Sequence, residues 1–402
     1  MPSASDGAAG AVALLRAAAV RERCEIVFAA AEQGETPHFR LDLGRLGEVA
    51  DRVAAVTRRR YPNLAVPPHS RWRHFSVGGI ERAALVAADA DKDERARARI
   101  DLAVVSVLLD AGTGQGWRYH EAETGQRWGR SEGLAVASLR AMQRGLFSAD
   151  PTNPWRADAA ALARITPEGL ASAFQHGPGN EIVGLEGRAR LLRRLGEVCA
   201  ADPARFGAPA RPGGLYDHWR AEGGVTAPEI LATLLRALGP VWPARISWGG
   251  VSLGDCGRHR SVPGDGFVPF HKLSQWLAYS LIEPLEAGGV RVTRRDGLTG
   301  LAEYRNGGLF LDCGVIMARD PGLLSRPLDG ASEPVVEWRA LTVALLDRLA
   351  PEVRARLRKS ATEFPLACML EGGSWAAGRE VAFDRRPDGR APINVVSDGT
   401  LF

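Results

Sequence analysis

Lysine is nearly absent from this 402-residue chain. Three of its 51 basic residues are Lys, at positions 92, 272 and 359, and the other 48 are Arg. With Ala and Gly abundant, this bias reads as the codon usage of a GC-rich genome. A Lys that persists against it marks a position to inspect. Cysteine is scarce too. Cys24, Cys199, Cys256, Cys313 and Cys368 are scattered, odd in number and never spaced C-x-x-C. That argues against a zinc site or a disulfide framework and for a cytoplasmic protein. Long apolar runs are missing: nothing approaches the roughly 20 residues of a membrane span. The apolar stretch Ala8–Val20 is interrupted by Arg16 and follows no basic segment, so it is not read as a signal peptide. Excess charge is missing as well. The 51 basic and 47 acidic residues leave +4, far from the basic stripe of a nucleic-acid binder. There is no P-loop, no H-E-x-x-H and no G-x-S-x-G. The G-x-G steps at 112–116 follow a helical pattern rather than a strand. No metal, ATP, NAD or other cofactor is therefore expected.

What is present is an ordinary globular composition, 45% hydrophobic and 24% charged. Helical periodicity dominates. Helices are expected over 10–31, 41–58, 95–110, 131–144 with Ser131 as N-cap, 158–165, 185–202 entered through Gly184, 227–238, 270–286 and 338–349. A hairpin is expected over 117–128 around Thr124-Gly125. Strand-like segments are expected at 245–253, 290–293 and 309–313. The fold class is mainly α with small β elements. The Pro/Gly-rich stretch 203–216 suggests a division into 1–205 and 206–402, or one intertwined unit.

The helix FHKLSQWLAYSLIEPLE (270–286) holds the most informative Lys. At 100° per residue, Phe270, Leu273, Leu277, Leu281 and Leu285 share one face. Lys272, Gln275, Trp276, Tyr279 and Glu283 share the other. A solvated polar face is the ordinary explanation, but exposed faces seldom carry Trp and Tyr together. A Lys beside aromatic rings and a carboxylate suits a binding site. Some thirty residues on comes Leu298-Thr299-Gly300-Leu301-Ala302-Glu303-Tyr304-Arg305, which alone would read as a salt-bridged surface.

HKLSQWLAYSL followed by LTGLAEYR resembles the queuosine salvage nucleosidases, whose pattern runs K-R-A-Q, an apolar helix, then F-A-D-Y-R. Lys272 and Gln275 match the K and Q, and Glu303, Tyr304 and Arg305 match the D, Y and R. The resemblance covers about 40 residues. It implies a helical fold similar to helix-hairpin-helix DNA glycosylases, with Glu303 as catalytic carboxylate and Lys272 as its partner. The departure is Asp to Glu at 303, one methylene longer. A second resemblance spans nearly the whole chain. SRWRHF (70–75), RSEGLAVAS (130–138), VGLEGRARLLRRLG (183–196), RPGGLYDHW (211–219), DGFVPFHKLSQWLAYSLIEPLE (265–286), LTGLAEYRNGGLFLDCGVI (298–316) and SDGTLF (397–402) are similar to the uracil catabolism protein four family. That family is associated with a pyrimidine-degradation pathway that opens the uracil ring on its sugar and passes through ribosylurea.

Together the resemblances imply a metal-independent N-ribosyl hydrolase that splits urea from ribosylurea or its 5′-phosphate. Glu303 would stabilise an oxocarbenium-like transition state and activate water. Lys272, with His271 or Tyr279, would supply a proton or hold Glu303 ionised. Gln275, Trp276, Tyr304 and Arg305 would complete the substrate site. Asp255 and His259 suit a ribose hydroxyl, or a turn. Arg71, Arg73 and His74 suit a phosphate or carboxylate, or structural ion pairs. Arg130 beside the helix start suits an anion, or simple capping. Trp117 and Tyr119 suit stacking on a planar group, or core packing. Ser397–Thr400 are expected to dock near the site. The expected partner is a small ribosyl substrate, with no nucleic acid and no membrane. The alternative is a non-catalytic scaffold for the ring-opening enzyme of the same pathway.

Overall fold

The computed structural model describes residues 4–110, 112–114, 116–242 and 246–396. Helices dominate these residues, with short two-stranded pairings between them, so the chain is mainly α. Contacts divide it into two compact units interleaved along the sequence. Among the described residues, one draws on 4–69, 246–275 and 294–396, the other on those of 70–242 and on 276–293. The stretch 203–216 lies inside the second. The helix Lys272–Ala287 gives its first four residues to the first unit and the rest to the second. Ser397–Thr400 lie outside the described residues.

The first unit is organised by one long helix, Glu333–Leu357, buried from Val335 to Leu346 on every side. Helices Ala17–Glu32 and Leu46–Arg60 pack on it. Fully burying each Val, Leu or Trp of such a contact stabilises by about 1.5–3 kcal/mol. The expected single helix over 10–31 is two, Ala4–Leu14 and Ala17–Glu32. Arg16 takes an extended conformation between them, and its Nε donates to the Ala13 carbonyl.

The segment 309–313, expected as a strand, is instead the last turn of helix Tyr304–Asp312 with its C-cap Cys313. Its apolar run is short enough to fit either period. Glycines supply the decision: a Cβ on Gly307 would stand 2.6 Å from the Trp338 ring, so only Gly lets this helix lie against the long one. Among the described residues, four strand pairings complete the unit. Phe39–Leu41 runs antiparallel to Ile316–Ala318, with Phe39 opposite Ala318. Cys256–Arg258 pairs with Phe267–Pro269, Ser247–Trp248 with Val251–Ser252, and Pro327–Asp329, in parallel, with Asn394–Val396.

The second unit is built round helix Lys92–Leu108, buried continuously from Ile100 to Leu108. Helix Arg130–Gln143 packs beside it. Its N-cap is Gly129 rather than Ser131, whose hydroxyl donates to Asp110 at 3.0 Å. Helix Leu185–Ala201 starts after Gly184 in the left-handed region. Helix Ala227–Ala237 opens with a capping box of Thr226 and Glu229. The hairpin forms as Tyr119–Glu121 against Gln126–Trp128. Trp117 and Tyr119 are fully buried, and Trp117 Nε1 donates to the Phe174 carbonyl, so both belong to the core. Buried ion pairs hold the rest. Asp101 takes Arg211 together with the Ala157 and Gly213 amides. Glu121 takes both Arg82 and Arg140.

Candidate active site

The first unit places Lys272 and Glu303 by a set of hydrogen bonds that starts at Asp255. The Asp255 carbonyl accepts the Phe270 and His271 amides, and its Oδ2 accepts the Lys272 amide at 3.0 Å. One residue thus satisfies the first N–H of the Lys272 helix, a group that every helix leaves open. The guanidinium of Arg339 lies flat against the same carboxylate, Nη1 on Oδ1 and Nη2 on Oδ2, each at 2.8 Å. Burial would raise the Asp255 carboxyl, but the charge and hydrogen bonds of Arg339 outweigh it and hold the group below the usual carboxylate range. Arg339 Nε also donates to the Ala302 carbonyl at 3.3 Å, one residue before Glu303. The Phe270 ring stacks 4.0 Å from its guanidinium.

Gln275 makes the second link. Its Nε2 donates to the Thr299 hydroxyl at 2.6 Å and to the Phe270 carbonyl at 3.1 Å, and its Oε1 accepts the Thr299 amide at 2.9 Å. Fully buried, it ties the start of the Lys272 helix to the segment that leads into Glu303. Spacing alone cannot convey this: the K…Q and L-T-G parts of the two motifs are halves of one clamp.

Glu303 is the N-cap of helix Tyr304–Asp312. Its Oε2 accepts the Arg305 amide at 2.8 Å and its Oε1 the Asn306 amide at 2.5 Å. The side chain is buried rather than at a salt-bridged surface. Burial drives its carboxyl upward. The two amides and the charges of Lys272 and His69 oppose that rise without cancelling it. A cap alone does not call for Glu, because Ser, Thr, Asp and Asn cap more effectively. The extra reach instead puts a carboxylate of raised proton affinity within electrostatic reach of Lys272 and His69.

His271 precedes Lys272 in the left-handed region, φ 49°. Its Nε2 faces the Leu14 carbonyl at 3.0 Å, which places the proton there. Its Nδ1 is buried with no hydrogen-bond partner among the described residues. Burial pushes the imidazole down, so the ring is neutral and offers a lone pair rather than a proton. Tyr304 is exposed, and the Arg305 guanidinium lies 4.8 Å from its ring. Arg305 is buried, and its Nη1 donates to the Gly389 carbonyl at 2.7 Å. His259 accepts the Ser261 amide at Nδ1 and faces Glu337 with Nε2, so both ring nitrogens are taken by the fold.

The remaining candidates belong to the second unit. Arg71 is fully buried. It donates to Ser106 and to the Ser131 carbonyl, faces His74 Nδ1 at 3.1 Å and pairs with Asp110 at 3.3 Å. Burial lowers its affinity for the proton and Asp110 opposes the shift. Its guanidinium stacks 5.4 Å from Trp276, and the His74 ring lies 5.5 Å from the same indole. Arg73 pairs with Glu283, which also accepts the Ser70 hydroxyl. Tyr279 is buried.

Arg339, His69 and Glu371 are functional candidates that the sequence reading passes over. Arg339 sits 84 residues from its carboxylate partner, and no local motif marks such a pair. Among the described residues no group of three or more His, Cys, Asp or Glu is placed to hold a metal ion. No helix among them is long and apolar enough to cross a membrane.

The fold and the site define a mainly helical protein with a buried, amide-bound carboxylate that lies within the field of a lysine. A family profile described as "Protein of unknown function (DUF1688)" matches residues 13–402, and the chain belongs to that family. It is 40% identical to "Protein urg3" of Schizosaccharomyces pombe, over 95% of this chain and 96% of that one. It is 37% identical to "Uracil catabolism protein 4" of Lachancea kluyveri, over 95% of this chain and 97% of that one.

Proposed function

We propose that this chain acts in uracil catabolism as an N-ribosyl hydrolase, splitting urea from ribosylurea or its 5′-phosphate. The pathway comes from the name of the Lachancea relative. The observation that carries the chemistry is Glu303: a buried carboxylate, raised by desolvation, on two backbone amides and under the charges of Lys272 and His69. A carboxylate with raised proton affinity is the better base toward water. In its ionised form, which Lys272 and His69 favour, it also stabilises positive charge developing on the ribosyl carbon. Asp255, Arg339 and Gln275 position the two halves of the site.

The test is direct. Purified protein is incubated with ribosylurea and with its 5′-phosphate, and free urea is measured. Urea release that is abolished in Glu303→Gln, with folding retained, supports the reading. No urea from either substrate, with folded wild-type protein, refutes it and leaves the scaffold role. Release that persists in Glu303→Gln refutes the site.

A further inference from the structure

We infer that His69 is the proton donor of the Glu303 site and that Glu371 is its positioning residue. The inference rests on the hydrolase reading and names the group that protonates the leaving urea.

His69 Nδ1 lies 2.9 Å from Glu371 Oε2, and its backbone amide is fixed on the Ala367 carbonyl at 3.0 Å. Both side chains are largely enclosed, 14% and 9% exposed. Glu371 is itself held from three directions. Its Oε1 accepts the Tyr61 hydroxyl at 3.1 Å and Arg60 Nη2 at 3.3 Å, and Arg60 Nη1 donates to its carbonyl.

Glu371 lies in a π-turn, Leu370–Ser374, inserted between helices Leu366–Met369 and Trp375–Arg385. Such one-turn bulges cluster at functional sites, because the extra residue re-aims the side chains around it. Close packing holds this one: a Cβ on Gly373 would stand 2.5 Å from both the Thr57 hydroxyl and the Val53 carbonyl. The turn is also tied to Glu303. Ser374 donates to Asn306 Oδ1 at 2.8 Å, and the Asn306 amide is one of the two donors on Glu303.

A carboxylate on Nδ1 fixes the tautomer of a histidine and stabilises its imidazolium, as in hydrolytic triads. In the step assigned here, the bond between the ribosyl carbon and the urea nitrogen breaks. Its electron pair goes to that nitrogen, which takes the imidazolium proton of His69. Glu303 takes one proton from water, whose oxygen bonds to the ribosyl carbon. Proton return from Glu303 to His69 through solvent resets the site. Lys272 then serves Glu303 as an electrostatic partner and does not donate.

The experiment follows urea release by wild type, His69→Ala, His69→Gln, Glu371→Gln and Glu371→Asp, each checked for folding by thermal melting. His69→Ala should lose roughly 100-fold or more in kcat and regain part of it with added imidazole. Glu371→Gln should lower kcat with KM within about two-fold, and Glu371→Asp should retain more activity, because positioning acts on the step rather than on binding. Without using activity, the Glu303 carboxyl followed by carbon NMR should titrate at higher pH in His69→Gln than in wild type. Wild-type kcat in a folded His69 variant, no rescue by imidazole, or an unmoved Glu303 titration overturns the inference while leaving the hydrolase reading intact. A wild type that releases no urea overturns the hydrolase reading, and this role falls with it.

Discussion

Asp255 and Arg339 should form one of the most strongly coupled pairs in the chain. Their side chains are 11% and 3% exposed and share two parallel hydrogen bonds. Asp255→Asn strands a buried guanidinium, and Arg339→Met strands a buried carboxylate that also holds the Lys272 amide. Breaking one side of a buried pair costs about 3–5 kcal/mol. The double variant leaves no uncompensated charge, so its loss should fall short of the two single losses added together by about 2–3 kcal/mol. Urea denaturation of the four proteins at pH 7 measures this coupling.

The pH dependence has a definite sign. The folded state holds the Asp255 carboxyl below its ordinary value. The stabilisation is therefore complete above the unfolded value, near pH ~4, and is lost as pH falls through the lower folded value. The gap between wild type and Asp255→Asn should be full at neutral pH and shrink in acid. Single losses under about 1 kcal/mol, or a coupling near zero, would show that solvent reaches the pair and that it is not a buried ion pair in energetic terms.

Three further outcomes are expected. Gln275→Leu should destabilise by about 1–3 kcal/mol in denaturant melts, because it strands the buried Thr299 amide. It should also lower activity by loosening the segment before Glu303. Gly378→Ala should lower the melting temperature, since a Cβ there runs into the Arg305 carbonyl and forces helices Trp375–Arg385 and Tyr304–Asp312 apart, an overpacking worth about 1–3 kcal/mol. Glu121→Gln should cost about 3–5 kcal/mol at neutral pH. Burial would raise Glu121, but Arg82, Arg140 and Thr124 outweigh it and hold it at about 2, so this cost should vanish only as pH falls from ~4 toward 2.

The legible helices were those whose local signals agree. Leu46–Arg60 shows an apolar stripe with three arginines in its last turn, and Ala227–Ala237 has a capping box with Pro in its first turn. Tyr304–Asp312 was not legible. Two glycines and a short apolar run disguise it, and those glycines answer to Trp338 and Pro392 rather than to the helix itself. The π-turn at 370–374 leaves no periodic trace for the same reason.

The site divides along similar lines. Lys272 stood out by scarcity and Glu303 by its motif. The exposed Lys92, and Lys359 paired with Glu363 within its own turn, lack such a setting. The family and the mainly helical class are legible without coordinates, because both are properties of residue order and local period. It takes the folded chain to make Asp255 anchor a helix, Gln275 clamp a loop, Arg71 turn inward within its unit and His69 face Glu371. Each of those roles depends on which remote group a side chain meets, and on whether water is excluded when it does.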